Sequence, residues 1–161
     1  MSVVIDGGVR EAIREVATAL LPELPSIGAG TAEYIEAAMP EVAQPGVAEF
    51  IEAACHANSS TILDGLLRGV SLDAIAPSPE VIQTTRAVVR QGLTMSDVVR
   101  GYQLGSTYWC TRWAEGVEQH CSDASLAVAT VSGGTTFILG WLERVVDRLT
   151  AEYRDEAERM A

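Results

Sequence analysis

Two histidines and three cysteines are the side chains of this sequence that are best suited to metal binding or nucleophilic chemistry. His56 is adjacent to Cys55 and His120 to Cys121, but neighbouring residues on a helix point about 100° apart and do not readily share one ion. The sequence contains no H-x-x-x-H, E-x-x-H or C-x-x-C spacing, which are the patterns typical of metal sites. We therefore predict no bound metal and no cofactor. His56 as an axial haem ligand in a helical pocket stays open as an alternative.

The serines, glycines and cysteines form no recognisable catalytic pattern. Ser59 and Ser60 have no candidate base nearby in the sequence, and no G-x-S-x-G motif occurs. The glycines at 28–30 and 133–134 do not match a phosphate-binding loop, and no strand is predicted before them. The cysteines are odd in number and widely spaced, as is typical of buried reduced thiols. We predict that the chain is not an enzyme.

Aromatic side chains at helical spacing are the strongest candidates for a binding site. Tyr102, Trp109 and Trp113 recur at steps of seven and four, which places them on one face of a helix. Small-molecule pockets are mostly apolar with a few polar groups, so these three residues form the candidate ligand pocket. The alternative is a plain core in which the hydroxyl and indole groups are hydrogen-bonded internally.

The segment that positions these aromatics, residues 86–113, is predicted to be the end of one helix, a turn, and the first part of a longer helix. Ser78 caps the start of the first helix, and Gly92 ends it because glycine tolerates left-handed dihedral angles. Thr94 or Ser96 caps the second helix. The long apolar stripe of this second helix makes it the centre of the predicted core.

Three further helices are predicted before this segment, because their apolar residues recur at intervals of three and four. The expected helices cover residues 9–21, 32–39 and 47–67. Gly28 and Gly30 are expected to lie in a loop between the first two. No segment alternates with period two over more than a few residues, so the predicted fold is all-α.

The last segment, residues 124–160, has a nearly heptad apolar pattern. An unbroken helix of this length would extend about 55 Å, whereas a compact domain of this size is about 40 Å across. We therefore predict a break or kink at Gly133 and Gly134 and an end that leaves the body, where two copies pair as a coil. The predicted dimer interface consists of Val131, Ile138, Leu142, Val145 and Leu149.

The composition bounds the class of protein. The 161 residues suffice for one domain with its own core, and 48% of them are hydrophobic. The formal net charge is −11 and the sequence contains no lysine, so we predict that these residues do not bind nucleic acid. No apolar run approaches the roughly 20 residues that cross a bilayer, and no secretion signal opens the chain. We expect a cytoplasmic protein that does not associate with membranes.

Three stretches of the sequence resemble a known family. Residues 90–93 (RQGL), 98–105 (VVRGYQLG) and Trp109 resemble the pattern R-x-G-x-x-L-x-x-L-L-R-A-Y-R-x-G-x-x-x-x-W. This pattern marks the N-terminal helical domain shared by PucR/CdaR-type bacterial transcription regulators and RsbR-type stress sensors. The stretch AEYRDEAER near the C-terminus is similar to the Y-x-x-E-R-E-R helix that leads toward the later domains of those regulators. Gln103 and Ala157 depart from the family pattern.

The resemblance implies a globin-like helical bundle without haem, with a long C-terminal helix. Such domains often pair through their last two helices, which here are residues 96–121 and the segment from 124 onward. The implied organisation is a helical regulatory or sensor domain over residues 1–142 and the start of a helical linker over 143–161.

The implied function is that of the N-terminal regulatory domain of a PucR-like transcriptional regulator, which senses a signal and dimerises without catalysis. A small-molecule effector is compatible with this role. DNA contact is expected only through a downstream helix-turn-helix that the sequence does not contain. The alternative is a scaffold subunit of an RsbR-type stress-signalling assembly without a small-molecule ligand. A phosphorylatable sulfate-transporter-like domain downstream would favour that alternative.

Overall fold

The computed structural model describes residues 7–161, which form six α-helices joined by short turns and single 3₁₀ turns. The helices are α1 (Gly7–Leu20), α2 (Leu24–Ala38), α3 (Ala48–Arg68), α4 (Pro79–Arg90), α5 (Met95–His120) and α6 (Ala127–Met160). No strand occurs in this part of the chain. The predicted all-α fold with a long C-terminal helix is confirmed.

The predicted helix ends around the central turn are confirmed in atomic detail. The hydroxyl of Ser78 accepts a hydrogen bond from the backbone N–H of Val81 at the start of α4. Gly92 has φ +79°, the left-handed conformation that follows a last helical turn. Thr94 and Asp97 form a reciprocal capping box at the start of α5. A cap of this kind typically stabilises a helix by about 1 kcal/mol, so local chemistry fixes this turn.

The predicted loop at Gly28 and Gly30 is wrong, because both glycines lie inside α2, which begins at Leu24. The short helix 32–39 is therefore only the second half of a longer one. A Cβ at Gly28 would overlap the His56 imidazole, and a Cβ at Gly30 would overlap the Tyr108 hydroxyl. These glycines allow neighbouring side chains to approach the helix closely, and they do not interrupt it.

The predicted break in the last helix is also wrong. α6 is one helix of 34 residues, about 51 Å long at about 1.5 Å per residue. Gly133 and Gly134 are buried in it, and a Cβ at Gly134 would overlap the indole of Trp113. Gly134 is thus a point of close contact with α5.

The prediction that the end of the last helix leaves the body of the domain is also wrong, because the C-terminal half of α6 packs against the other helices. Leu149 is fully buried and Glu156 is 4% exposed. The hydroxyl of Tyr153 donates a hydrogen bond to the carbonyl oxygen of Leu93, at 3.0 Å, in the turn before α5. α6 therefore packs along α5 and α4 over nearly its whole length.

Three of the five residues predicted at a dimer interface lie in the core of the single chain. Ile138, Val145 and Leu149 are each at most 2% exposed, so as packed here they are not available to a second copy. Val131 and Leu142 are half-buried and pack against the same core. A heptad pattern identifies the buried face of a helix but does not identify what buries it, and here it is the rest of the chain.

The outward face of the first half of α6 is uncharged and exposes two large apolar side chains. No charged residue occurs between Asp123 and Glu143, while Val128 is 83% exposed and Leu139 is 49% exposed. The segment Ala124–Met160 contains an 18-residue window with mean hydropathy 1.4, of which 28% is buried. By length and composition this helix could cross a membrane, although the expectation from the sequence is a protein that does not associate with membranes. One such helix is weak evidence for a membrane span.

Candidate functional site

A cavity lies between α2, α3, α4 and α5, and α6 contributes Trp141 to its wall. The volume that the centres of water molecules could occupy is about 80 Å³. Most of the wall is aliphatic or aromatic. The lining side chains include Thr31, Cys55, Asn58, Ser59, Thr85, Asp97, Tyr102, Ser106, Trp109 and Trp141.

Helical spacing brings the polar lining groups to the cavity. On α5, Tyr102, Ser106 and Trp109 are four and three residues apart and therefore share one face. On α3, Asn58 and Ser59 interrupt an otherwise apolar helix face with an amide and a hydroxyl. The cavity thus has an apolar wall with a few polar groups, the usual composition of a small-molecule site.

Most of these polar groups are satisfied by the chain itself. The indole N–H of Trp109 donates to Ser59 Oγ at 3.0 Å, and the amide of Asn58 donates to the Tyr102 hydroxyl at 3.4 Å. The hydroxyls of Thr31 and Thr85 donate to carbonyl oxygens of their own helices. These bonds hold the wall in place, and the hydroxyls of Ser59 and Tyr102, which accept in them, each keep a proton to donate.

Two buried polar atoms on the cavity wall have no hydrogen-bond partner. These are Oγ of Ser106, a residue that is 5% exposed, and Nε1 of Trp141, a residue that is 3% exposed. The Trp141 ring lies 6.2 Å from the Tyr102 ring between centroids. Leaving a buried donor unpaired costs about 1–3 kcal/mol, so two such groups on residues that line one cavity require an explanation.

The electrostatic environment of the cavity favours neutral groups. Burial raises the pKa of the Cys55 thiol to about 12, and the carboxylates of Glu36 and Glu52 add to the shift. Burial also raises the pKa of the Tyr102 hydroxyl, against a smaller lowering by its hydrogen bond with Asn58. Both side chains are therefore uncharged at neutral pH, and Cys55 is a poor nucleophile.

The structure places two of the three aromatic residues of the predicted pocket at the cavity. Tyr102 and Trp109 line the cavity, whereas Trp113 does not. Trp113 is fully buried, and its indole N–H donates to the carbonyl oxygen of Thr130 at 3.2 Å. For Trp113 the plain-core alternative therefore holds in this structure.

Trp141 lines the cavity although it is not among the residues predicted from the sequence, and its spacing carries a usable signal. It lies three residues after Ile138 and four before Val145, so the heptad pattern already placed it on the buried face of α6. Ser106 had no such signal, because an isolated serine on an apolar stripe is usually bonded within its own helix.

Neither histidine contributes to the cavity. His56 packs against Gly28, and His120 is the half-buried last residue of α5. Neither lines the wall, so the alternative of an axial haem ligand finds no imidazole there. Across residues 7–161, no group of three or more His, Cys, Asp or Glu side chains could hold a metal ion.

A second polar feature joins the far end of α6 to α4, and we call it the Glu156 cluster: Arg86, Arg90, Glu152, Glu156 and Arg159. Glu156 lies 3.2 Å from Arg90 and 3.9 Å from Arg86, and Arg159 donates to it at 2.6 Å. Arg86 also lies 3.6 Å from Glu152. Glu156 is thus a buried carboxylate held by three guanidinium groups.

Comparison with known proteins identifies a family for most of the chain. Residues 25–161 match the family described as RsbT co-antagonist protein rsbRD N-terminal domain. Searches of curated proteins and of solved structures each found no match. The matched range includes every side chain of the cavity and of the Glu156 cluster.

Proposed function

Because the chain belongs to the RsbT co-antagonist rsbRD N-terminal domain family, we propose that it is the signal-sensing and dimerising domain of a PucR-like transcriptional regulator. In this proposal the domain is cytoplasmic, has no catalytic activity and leaves DNA binding to a helix-turn-helix outside these 161 residues. Tyr102 and Trp109 contact the signal molecule, and α6 transmits its presence.

The observation that carries this proposal is the course of α6. The helix borders the cavity through Trp141 and meets α4 through Glu156, with no interruption between them. The two residues are about 22 Å apart along the helix axis at about 1.5 Å per residue. A displacement of Trp141 is therefore passed to the Glu156 cluster by a continuous rigid element.

The proposed dimer uses the outward face of α6, together with α5. That face carries Val128, Ser132, Thr136 and Leu139, all exposed and all uncharged. A second copy would cover Val128 and Leu139, which a monomer would leave in water. A net charge of −11 disfavours an anionic membrane surface as the alternative covering.

Sedimentation velocity of the 161-residue chain and its Leu139→Glu variant tests the dimer. We expect the unmodified chain to be dimeric at micromolar concentrations and the variant to dissociate at least tenfold more readily, about 1.4 kcal/mol. The physical reason is that a symmetric interface places two introduced carboxylates close together.

Leu21→Glu is the matched control. Leu21 is 43% exposed, close to the exposure of Leu139, but it belongs to neither α5 nor α6. The control should remain dimeric, and both variants should unfold at the same temperature as the unmodified chain. A monomeric unmodified chain, or a Leu139→Glu variant that dimerises normally, would refute this part of the proposal.

A further inference from the structure

We propose that the cavity binds a small, uncharged, mostly apolar molecule that carries one hydrogen-bond acceptor, held by the indole N–H of Trp141 and the hydroxyl of Ser106. This inference rests on the proposed sensing function and specifies the chemical class of the ligand.

The requirement for an acceptor follows from the two unpaired atoms. An indole N–H can only donate a hydrogen bond, so whatever satisfies Trp141 must present a lone pair. A serine hydroxyl both donates and accepts, and it can share the same ligand oxygen or bind a neighbouring group. A carbonyl, ether or hydroxyl oxygen meets both conditions.

The other polar groups near these two already take part in hydrogen bonds within the chain. The Trp109 indole is already bonded to Ser59, and the Tyr102 hydroxyl to Asn58. Trp141 and Ser106 are thus the lining side chains whose buried polar atoms have no hydrogen bond at all, whereas Tyr102 and Ser59 each keep one hydroxyl proton. This restricts where the oxygen of the ligand is placed, while the aliphatic wall accepts the rest of the molecule.

Charged ligands are excluded by the composition of the wall. None of the lining residues is an arginine, lysine or histidine, so an anion would lose its hydration without a counter-charge. Asp97 is the single acidic lining residue, and its carboxylate is already bonded to the backbone N–H and hydroxyl of Thr94. A cation would therefore share this half-buried carboxylate with the cap of α5 and would find no other counter-charge on the wall.

The volume limits the size of the ligand. The volume open to the centres of water molecules, about 80 Å³, is well beyond what a single water needs, so the cavity accepts a molecule of several heavy atoms. This corresponds to a compact molecule such as a cyclic or short branched ketone, ether or alcohol. Water alone is the competing occupant, and it needs two or more polar partners at each site.

The test uses three probes of matched shape: cyclohexanone, cyclohexane and cyclohexanecarboxylate. Each is titrated into the ¹⁵N-labelled 161-residue chain, and the indole N–H signals of its three tryptophans are followed by NMR. We expect cyclohexanone to shift the Trp141 signal saturably and the Trp113 signal little. Cyclohexane should bind at least tenfold more weakly, and the carboxylate should cause no saturable shift.

Variants separate a specific site from a merely apolar one. Trp141→Phe keeps an aromatic ring but removes the donor, and Ser106→Ala removes the hydroxyl. Each should weaken cyclohexanone binding about five- to tenfold, as measured by calorimetry, because one hydrogen bond is lost. Thr107→Ala is the control on the same helix: Thr107 is exposed, its hydroxyl donates to Gln103 within α5, and binding should not change.

Three results would overturn the proposal: no saturable shift with cyclohexanone, equal affinity for cyclohexanone and cyclohexane, or unchanged affinity in both Trp141→Phe and Ser106→Ala. Filling of the cavity by water only would appear as the first of these. This test of the ligand class and the test of the proposed dimer can fail independently. A dimer that binds no probe refutes the ligand class alone, and a monomer that binds cyclohexanone refutes the dimer alone.

Discussion

Trp113 and Trp141 are two buried indoles at the same interface between α5 and α6, and their surroundings differ. Trp113 fills the space above Gly134, and its N–H is bonded to the Thr130 carbonyl. Trp141 faces a cavity, and its N–H has no partner. A closely packed and satisfied contact resists rearrangement, whereas an unsatisfied contact beside a void can change when something enters. The first half of α6 is therefore the fixed part, and the region around Trp141 is the responsive part.

The largest effect that we expect concerns Cys55 on the cavity wall. Its pKa is raised to about 12 from an ordinary value of 9.0, because burial disfavours the thiolate. A rise of three units leaves about a thousandfold less thiolate at any pH below 9. Iodoacetamide at pH 8.5 should therefore alkylate Cys55 far more slowly than the half-buried Cys121, as measured by peptide mass spectrometry.

The comparison of Cys55 with Cys121 has an internal control, because unfolding in urea should make the two thiols react at similar rates. Comparable rates for the two thiols in the folded protein would mean that water reaches the cavity freely. In that case the responsive region would be a solvated groove, and its contrast with the packed Trp113 region would need a different explanation.

A methyl group added to α5 or α6 should distinguish the packed from the open region. Gly134→Ala places a Cβ against the Trp113 indole and should lower the free energy of unfolding by about 2–3 kcal/mol. Gly105→Ala, on the cavity wall, brings its Cβ no closer than 3.5 Å to Thr31. This substitution should raise the free energy of unfolding by about 0.5–1 kcal/mol. Urea denaturation measures both changes, and equal destabilisation would contradict the comparison.

The smallest effect that we expect is the difference in stability between the Trp113→Phe and Trp141→Phe variants. Trp113→Phe loses a hydrogen bond and leaves a void in a packed region, so we expect about 1–2 kcal/mol of destabilisation. Trp141→Phe removes an N–H that has no partner and should change stability by less than about 0.5 kcal/mol. Thermal unfolding followed by circular dichroism compares the two variants, and a larger loss for Trp141→Phe would reverse the assignment.

The parts of the fold that could be predicted from the sequence are those fixed by local chemistry. Ser78, Gly92 and Thr94 define the ends of α4 and α5 through their own backbone preferences and short-range hydrogen bonds. Gly28 and Gly134 do not interrupt their helices as the sequence predicts, because the role of each is set by a side chain distant in sequence. A single sequence shows that a glycine is present, but it does not show which neighbour requires the space.

The candidate site could be predicted only in part for the same reason. The aromatic stripe of α5 correctly indicated Tyr102 and Trp109, but helical spacing could not show that the stripe passes from a cavity to a packed contact at Trp113. The heptad pattern of α6 likewise indicated a buried face and not its partner, so Ile138 and Leu149 were expected at a dimer interface and lie in the core. The pairing of the domain itself stays a prediction.

The most direct test of the link between the cavity and α6 is hydrogen–deuterium exchange of the 161-residue chain with and without saturating cyclohexanone. We predict that exchange changes in peptides covering residues 142–156 as well as around Trp141, while peptides from α1 exchange at the same rate. Slowing of exchange confined to the cavity wall on α3 and α5, with residues 142–156 unaffected, would show that α6 does not respond to an occupied cavity.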